Sequence, residues 1–312
     1  MKALVTGAAG FIGSHLSESL VASGVDVTGI DCFTDYYARD IKERNIEALR
    51  RHPKFTFVEA ALQTADLGAL LDDVTHVFHQ AAQAGVRKSW GKDFLEYTSH
   101  NVDSTQRLLE ASKERRLERF VYASSSSVYG DHVPIPMKEE TYLQPLSPYG
   151  VTKLAAEHLC TLYHANYGVP TVSLRYFTVY GPRQRPDMAF HRFFRAAIGG
   201  QPITLYGDGE QTRDFTFVAD IVAANRAAGD RGTPGAVYNI GGGSRVTVNH
   251  VLDLVGRISG RSLDIRREEA QKGDMRDTFA DTSRARAELG FAPAATLESG
   301  LKAEYEWLSG GK

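Results

Sequence analysis

The chain has 312 residues, 42% hydrophobic and 24% charged, with a formal net charge of −2. That balance fits an ordinary globular protein with one large domain or two smaller ones. It disfavours nucleic acid and anionic membrane as partners, and no apolar run approaches a membrane-spanning length.

The first predicted strand, 2–6, runs into Thr6-Gly7-Ala8-Ala9-Gly10-Phe11-Ile12-Gly13, and a helix is predicted over 11–23. The helix N-terminus offers unpaired N–H groups and positive dipole to a phosphate. Gly7 suits the positive φ of the turn, Gly10 lets backbone approach a pyrophosphate, and Gly13 lets helix and strand pack closely. A second strand, 26–30, ends at Asp31. A carboxylate there accepts hydrogen bonds from a ribose 2′-hydroxyl and repels a 2′-phosphate, which selects NAD over NADP. The cofactor candidates in this unit are Gly7, Gly10, Phe11, Ile12, Gly13 and Asp31. The N-terminus therefore reads as a core strand and not as a signal peptide.

Further strands are predicted at 55–58, 75–79, 119–123 and 171–175, and helices at 39–51, 66–71, 93–115 and 148–167. Such alternation implies an α/β fold, a doubly wound parallel (Rossmann) sheet with helices on both faces. The strands are short apolar runs such as Phe120-Val121-Tyr122-Ala123, as expected when both faces are covered. After 175 the rhythm breaks into a smaller C-terminal α/β region of loops and short helices. The expected division is 1–175, with 216–240 returning to it, and 176–312. The charged run from Lys113 to Arg119 reads as a solvated helix end. Cys32 and Cys160 have no metal-ligand spacing, so no metal is expected, and a reducing cytoplasm is the expected compartment.

Chemistry is concentrated in two places. Strand 119–123 runs into Ser124-Ser125-Ser126-Ser127 at the carboxyl edge of the sheet, where doubly wound folds bind ligands. In Ser147-Pro148-Tyr149-Gly150-Val151-Thr152-Lys153, Ser147 suits an N-cap and Pro148 a first helical residue. Tyr149 and Lys153 then share one helix face. A lysine ammonium near a phenol favours phenolate, so Tyr149 is expected to have a lowered pKa and to take a proton from a sugar hydroxyl.

These segments resemble the extended short-chain dehydrogenase/reductases, in the branch acting on nucleotide sugars. The resemblance is carried by the glycine turn, His79-Gln80-Ala81-Ala82, Asn101, Ser125 with Val128-Tyr129-Gly130, and Tyr149 with Lys153. It continues through Arg175-Tyr176-Phe177-Thr178-Val179-Tyr180-Gly181-Pro182 and Gly207-Asp208-Gly209 leading to Arg213-Asp214-Phe215. It implies that Tyr149 is the base at the sugar 4-hydroxyl, that Lys153 binds the nicotinamide ribose, and that Ser125 hydrogen-bonds the 4-oxygen. It implies that Ala81 and Asn101 join the NAD site, that Arg213 meets a UDP diphosphate, and that 176–312 binds the nucleotide sugar. It also implies a homodimer through helices 93–115 and 148–167. Leu108, Leu109, Leu154, Leu159 and Leu162 suit such a bundle or an internal core equally.

Within that branch, 4,6-dehydratases carry an Asp-Glu pair where Ser126 and Ser127 stand, and UDP-glucuronate decarboxylases carry Glu at the Ser127 position. Two serines cannot do the acid–base chemistry of elimination near neutral pH. Gly85-Val86-Arg87-Lys88-Ser89-Trp90, Asp35-Tyr36-Tyr37 and the stretch Thr178 to Phe190 resemble UDP-glucuronate 4-epimerases. The implied activity is conversion of UDP-glucuronate to UDP-galacturonate through a 4-keto intermediate. A UDP-glucose or UDP-N-acetylglucosamine 4-epimerase is the alternative, a decarboxylase a weaker one, and a non-catalytic NAD-binding regulatory module a third. The implied substrate contacts are Ser126, Ser127, Thr178, Arg185, Arg213 and Arg87, the three hydroxyls suiting a 6-carboxylate. Two features depart from the pattern. Thr178 stands where UDP-glucose-type relatives usually carry Asn, and Ala60-Ala61-Leu62 lacks the acidic residue that many relatives place near adenine.

Overall fold

A computed structural model describes residues 1–131, 133–269 and 271–310. Strands β1 (Lys2–Thr6), β2 (Asp26–Asp31), β3 (Phe55–Glu59), β4 (His76–His79), β5 (Arg119–Ser125) and β6 (Thr171–Tyr176) match the six predicted ones, differing by at most two residues at an end. Helices α1 (Phe11–Ala22), α2 (Arg39–Arg50) and α3 (Leu67–Leu70) lie where expected, and α3 is capped by the Asp66 carboxylate, which accepts the Ala69 N–H at 3.0 Å.

The predicted helix 93–115 is not continuous. A 3₁₀ turn at Gly91–Asp93 leads into α4 (Phe94–Tyr97), then a π-helical stretch at Thr98–Asp103, then α5 (Ser104–Ser112). A π stretch re-aims side chains within an otherwise regular helix, a change that apolar spacing does not reveal. Here it accompanies Asn101, whose side chain bonds the backbone of the loop after β4. Helix α6 (Pro148–Tyr167) begins as predicted. Ser147 Oγ accepts the Gly150 N–H at 3.1 Å, Pro148 opens the helix, and Gly168 closes it at φ 71°.

Beyond β6 come β7 (Val179–Tyr180), α7 (Ala189–Gly199), β8 (Ile203–Tyr206), β9 (Thr212–Asp214), β10 (Thr216–Phe217), α8 (Val218–Arg231), β11 (Val237–Ile240), β12 (Arg245–Thr247), α9 (Val248–Ser259), β13 (Ile265–Glu268) and α10 (Leu297–Gly310). The main sheet has seven strands in the order β11-β6-β5-β4-β1-β2-β3, with every pairing parallel. The chain thus returns to the sheet through β11, beside β6, and α8 packs against α1. The remaining strands form the pairs β7–β10, β8–β13 and β9–β12. Helices α7, α9 and α10 are regular elements and not the loop-rich region expected. They enclose a core of their own around Phe190, Phe194, Leu252 and Leu301.

The main sheet is buried on both faces because its strands alternate. Ala3, Val5, Phe78 and Val121 face α1 and α8, while Leu4, Val77, Phe120 and Tyr122 face α5 and α6. Fully burying one such large apolar side chain stabilises the fold by about 1.5–3 kcal/mol. Leu108 and Leu109 belong to this second core and are fully buried, Leu159 packs against it, and Leu154 packs against a separate cluster with Tyr129 and Phe177. Of the five leucines weighed for a bundle, only Leu162 is largely exposed, at 55%.

Candidate active site

The strand order reverses at β1, which has β2 on one side and β4 on the other. This is the switch point at which doubly wound sheets open a crevice beyond their carboxyl ends. Gly7 enters it at φ 67°, and a Cβ there would stand 2.9 Å from the Ala81 backbone. A Cβ on Gly13 would collide with the Gly7 carbonyl. Gly10 caps α1 in extended backbone with no side-chain cap and no acidic residue in the first turn, so the N–H groups of Phe11, Ile12 and Gly13 remain for an anion.

Asp31 closes the crevice at the tip of β2. Its carboxylate accepts the Ala9 N–H at 3.1 Å and the Phe33 N–H at 2.9 Å. Burial raises its pKa, opposed by those two N–H groups and by the Lys42 ammonium. The glycine turn, the open helix terminus and a fixed carboxylate at the end of the second strand fit NAD. Gly7, Gly10, Phe11, Ile12, Gly13, Asp31 and Ala81 would hold it, with Asn101 behind.

Asn101 is fully enclosed. Its Oδ1 accepts the Gln83 N–H at 2.7 Å, and its Nδ2 donates to the Gln83 carbonyl and to Thr152 Oγ1, each at 3.0 Å. Thr152 in turn donates to the Tyr149 carbonyl at 2.8 Å. Asn101 therefore ties the loop after β4 to the first turn of α6.

Tyr149 lies at the crevice wall, its ring edge-on to Tyr97 at 6.2 Å. The Ser125 side chain lies near enough to its phenol to oppose the effect of burial on it. Ser125 Oγ also accepts the Ser127 N–H at 3.1 Å, which fixes the serine at the tip of β5. The expected lowering of the Tyr149 pKa is not found. Burial raises it, and the groups opposing that rise are Ser125 and the Arg185 guanidinium, not Lys153. Lys153 is itself buried, its Nζ 4.5 Å from the Tyr122 ring, and burial lowers its pKa to about 7. Burial of the phenol outweighs the charges around it, and the same burial disfavours the Lys153 ammonium, so helix spacing alone does not lower the Tyr149 pKa.

Beside Ser125 opens a cavity of about 150 Å³ lined by Ser126, Ser127, Thr178, Arg213, Asp274 and Thr278, among others. Four of the predicted substrate contacts thus meet around one space. Burial lowers the pKa of Arg213, and the guanidinium donates to the Thr212 and Arg276 carbonyls at 2.9 and 2.8 Å. Arg87 does not line the cavity. It pairs with Asp274 at 2.7 Å and stacks over Tyr206 at 4.3 Å. Arg185 does not line it either. Its guanidinium forks onto Asp187 at 3.0 and 2.9 Å, within electrostatic range of Tyr149 and Tyr36.

Sequence reasoning missed the buried support behind these groups. Glu157 accepts Arg175 at 3.0 and 2.6 Å and Ser124 Oγ at 2.6 Å. Glu157 stands four residues after Lys153 on α6, a signal the sequence did contain. Among the described residues no helix is long and apolar enough to cross a membrane, and no group of three His, Cys, Asp or Glu residues is placed to hold a metal. Cys32 and Cys160 are both unpaired.

Known proteins resemble this chain over nearly its whole length. The model of the NAD dependent epimerase/dehydratase family matches residues 3–241. A Bacillus subtilis protein named as an uncharacterized UDP-glucose epimerase, YtcB, is 47% identical over 311 residues, covering 99% of this chain and 98% of that protein. A UDP-glucuronate 4-epimerase of Thermodesulfobacterium geofontis is 36% identical over 309 residues, covering 97% and 95%. A solved UDP-glucuronic acid 4-epimerase from Bacillus cereus, in complex with UDP-glucuronic acid and NAD, is 45% identical with a TM-score of 0.97, covering 99% of each chain.

Proposed function

The chain belongs to the NAD dependent epimerase/dehydratase family, and from that premise we propose that it converts UDP-glucuronate to UDP-galacturonate by inverting C4. One observation carries the choice of sugar. Ser126, Ser127 and Thr178 bring three hydroxyls to one cavity with Arg213. The acidic lining residue, Asp274, is paired with Arg87. Such a space accepts a carboxylate by hydrogen bonding, and the positions next to Ser125 offer no acid or base for elimination.

When bound, NAD supplies a hydride acceptor for C4 and returns the hydride to the opposite face of the sugar. The rest falls to the chain. Tyr149 takes the 4-hydroxyl proton and later returns it, with Ser125 steadying the same oxygen. Lys153 holds the nicotinamide ribose, and Arg213 holds the diphosphate through a planar, many-donor guanidinium. The 4-keto sugar formed in between is a β-keto acid, which loses CO₂ readily when its carboxylate bond aligns with the carbonyl. Ser126, Ser127 and Thr178 hold the carboxylate out of that alignment, so positioning protects the intermediate.

Residues 1–175 with 216–240 make up the NAD-binding part of this reading, and the remainder the nucleotide-sugar part. A homodimer is also part of it, with Leu95 at 73%, Val151 at 49% and Leu162 at 55% exposure offering apolar surface on α4 and α6. Light scattering tests that assembly. Cytoplasmic residence, read from two unpaired cysteines, is tested by cell fractionation.

The experiment is separate incubation of the protein with UDP-glucuronate and UDP-glucose, followed by NMR of the products. UDP-galacturonate from the first is expected. The name of the Bacillus subtilis relative favours the second substrate, and turnover of the neutral sugar alone would overturn the carboxylate reading. A UDP-pentose as the main product would make the chain a decarboxylase.

A further inference from the structure

His79 lies at the end of β4 and is fully buried, and it has no role in the reaction described above. Both ring nitrogens are engaged, Nδ1 with Thr6 Oγ1 at 2.7 Å and Nε2 with Thr105 Oγ1 at 2.9 Å. The neighbours decide which nitrogen carries the proton. Thr105 donates its hydroxyl proton to the Asn101 carbonyl at 2.7 Å, so its oxygen receives a proton from His79 Nε2. Burial, reinforced by the nearby Lys153 charge, lowers the His79 pKa to about 3, so the ring is neutral and Nδ1 is bare. Nδ1 then accepts from Thr6, and the Thr6 oxygen accepts the Ala81 N–H at 3.1 Å. Each hydrogen in this row has one place to go.

The row does not stop at Asn101. The Asn101 side chain donates to Thr152, and Thr152 donates to the Tyr149 carbonyl. Asn101 thus takes part with its carbonyl on one side and its side chain on the other, and through it two hydrogen-bonded runs join Ala81, which packs against the Gly7 turn, to the backbone of Tyr149. They cross three elements separated by 73 and 26 positions in sequence at the two His79 links. A neutral imidazole suits the centre because it offers one donor and one acceptor on opposite sides of a rigid ring.

Building on the proposed reaction, we propose that His79, fixed as the Nε2–H tautomer, is a positioning residue that couples the dinucleotide loop to the placement of the Tyr149 phenol. Breaking the path leaves substrate groups untouched but lets the phenol drift from the sugar 4-oxygen. Misplacement of that kind costs turnover and spares substrate affinity.

Thr105→Val removes the hydroxyl with little change in shape, and Thr105→Ser restores it. In the NAD-loaded enzyme, Thr105→Val is expected to lower kcat about tenfold with KM for the sugar within about twofold, and Thr105→Ser to recover most of kcat. Unchanged kcat in Thr105→Val, or equal losses in the Val and Ser variants, would overturn the proposal. A loss expressed through KM alone would overturn it too. Independently, ¹⁵N NMR of the histidine-labelled, NAD-loaded wild type should show His79 as the Nε2–H tautomer, unchanged from pH 5 to 9, with no sugar present. The opposite tautomer, or titration within that range, would overturn the proposal. The NMR result stands whichever sugar the enzyme turns over, so a failed substrate assignment remains distinguishable from a failed role for His79.

Discussion

Glu157 and Arg175 form an ion pair 2.6 Å long with both side chains 4% exposed, directly beneath the serine tip of β5. The pair is further satisfied by Ser124 on the carboxylate, and by Tyr129 and the Glu139 carbonyl on the guanidinium. Removing one partner leaves the other charged, buried and without its counter-ion. Glu157→Ala should cost about 3–5 kcal/mol of stability. Urea unfolding at neutral pH measures it. The double variant Glu157→Ala with Arg175→Ala should cost less than the sum of the two singles, because the second loss strands no further charge.

Asp31 is expected to set both affinity for NAD and discrimination against NADP. Its carboxylate is already oriented by the Ala9 and Phe33 N–H groups. Asp31→Ala removes a charged acceptor worth about 1.5–3 kcal/mol per hydrogen bond, about ten- to a hundredfold in NAD affinity. Calorimetric titration of cofactor-stripped protein with NAD and NADP should show the first weakened and the gap between them narrowed.

Tyr149→Phe should abolish measurable epimerisation, a loss of at least about 10²–10⁴-fold for a missing general acid–base group. Binding of NAD and of the UDP-sugar should persist, because the Tyr149 carbonyl still receives Thr152. Retained turnover would remove Tyr149 from its role.

Ser127→Ala and Thr178→Ala each withdraw one hydroxyl from the cavity beside Ser125. Each should raise the share of UDP-glucuronate that loses CO₂, read as UDP-pentose by NMR. A product ratio equal to that of wild type would argue against restraint of the carboxylate by these hydroxyls.

Glu304 gives a stability prediction with a definite sign. It is fully buried on α10, accepts the Gly181 N–H at 2.9 Å through Oε2, and has no partner for Oε1 among the described residues. Burial raises its pKa to about 8. Between its unfolded value, about 4.3, and about 8 the folded state holds a proton that the unfolded state has released. Its contribution to stability is therefore full below that range and lost as pH rises through it. Glu304→Gln keeps an acceptor for Gly181 and removes the titration. The variant should lose less stability than wild type between pH 6 and 9 in thermal melts at stepped pH.

Much of the fold was legible because parallel strands covered on both sides must be short apolar runs, and six of the seven sheet strands were found that way. The seventh, β11, is as apolar as the others in Val237-Tyr238-Asn239-Ile240 except for one Asn, and that Asn bonds Tyr129 and the Met137 carbonyl across the molecule. The break in the helix before α5 was hidden because apolar spacing continues through Leu108 and Leu109 while the backbone changes pitch at Asn101.

The chain's local chemistry alone determined the glycine turn, the open helix terminus and the Tyr149–Lys153 spacing on which the proposed NAD site and acid–base chemistry rest. A positive-φ turn, a helix terminus and an i, i+4 pair are properties of neighbouring residues. Only tertiary structure decided the rest. It lowered the pKa of Lys153 and raised that of Tyr149, because burial is a property of what packs over a residue from distant elements. It brought Thr178 and Arg213 to Ser126 and Ser127, sent Arg87 and Arg185 to other partners, and fixed the proton on His79. Each of those outcomes depends on long-range contacts, for which no local pattern carries a signal.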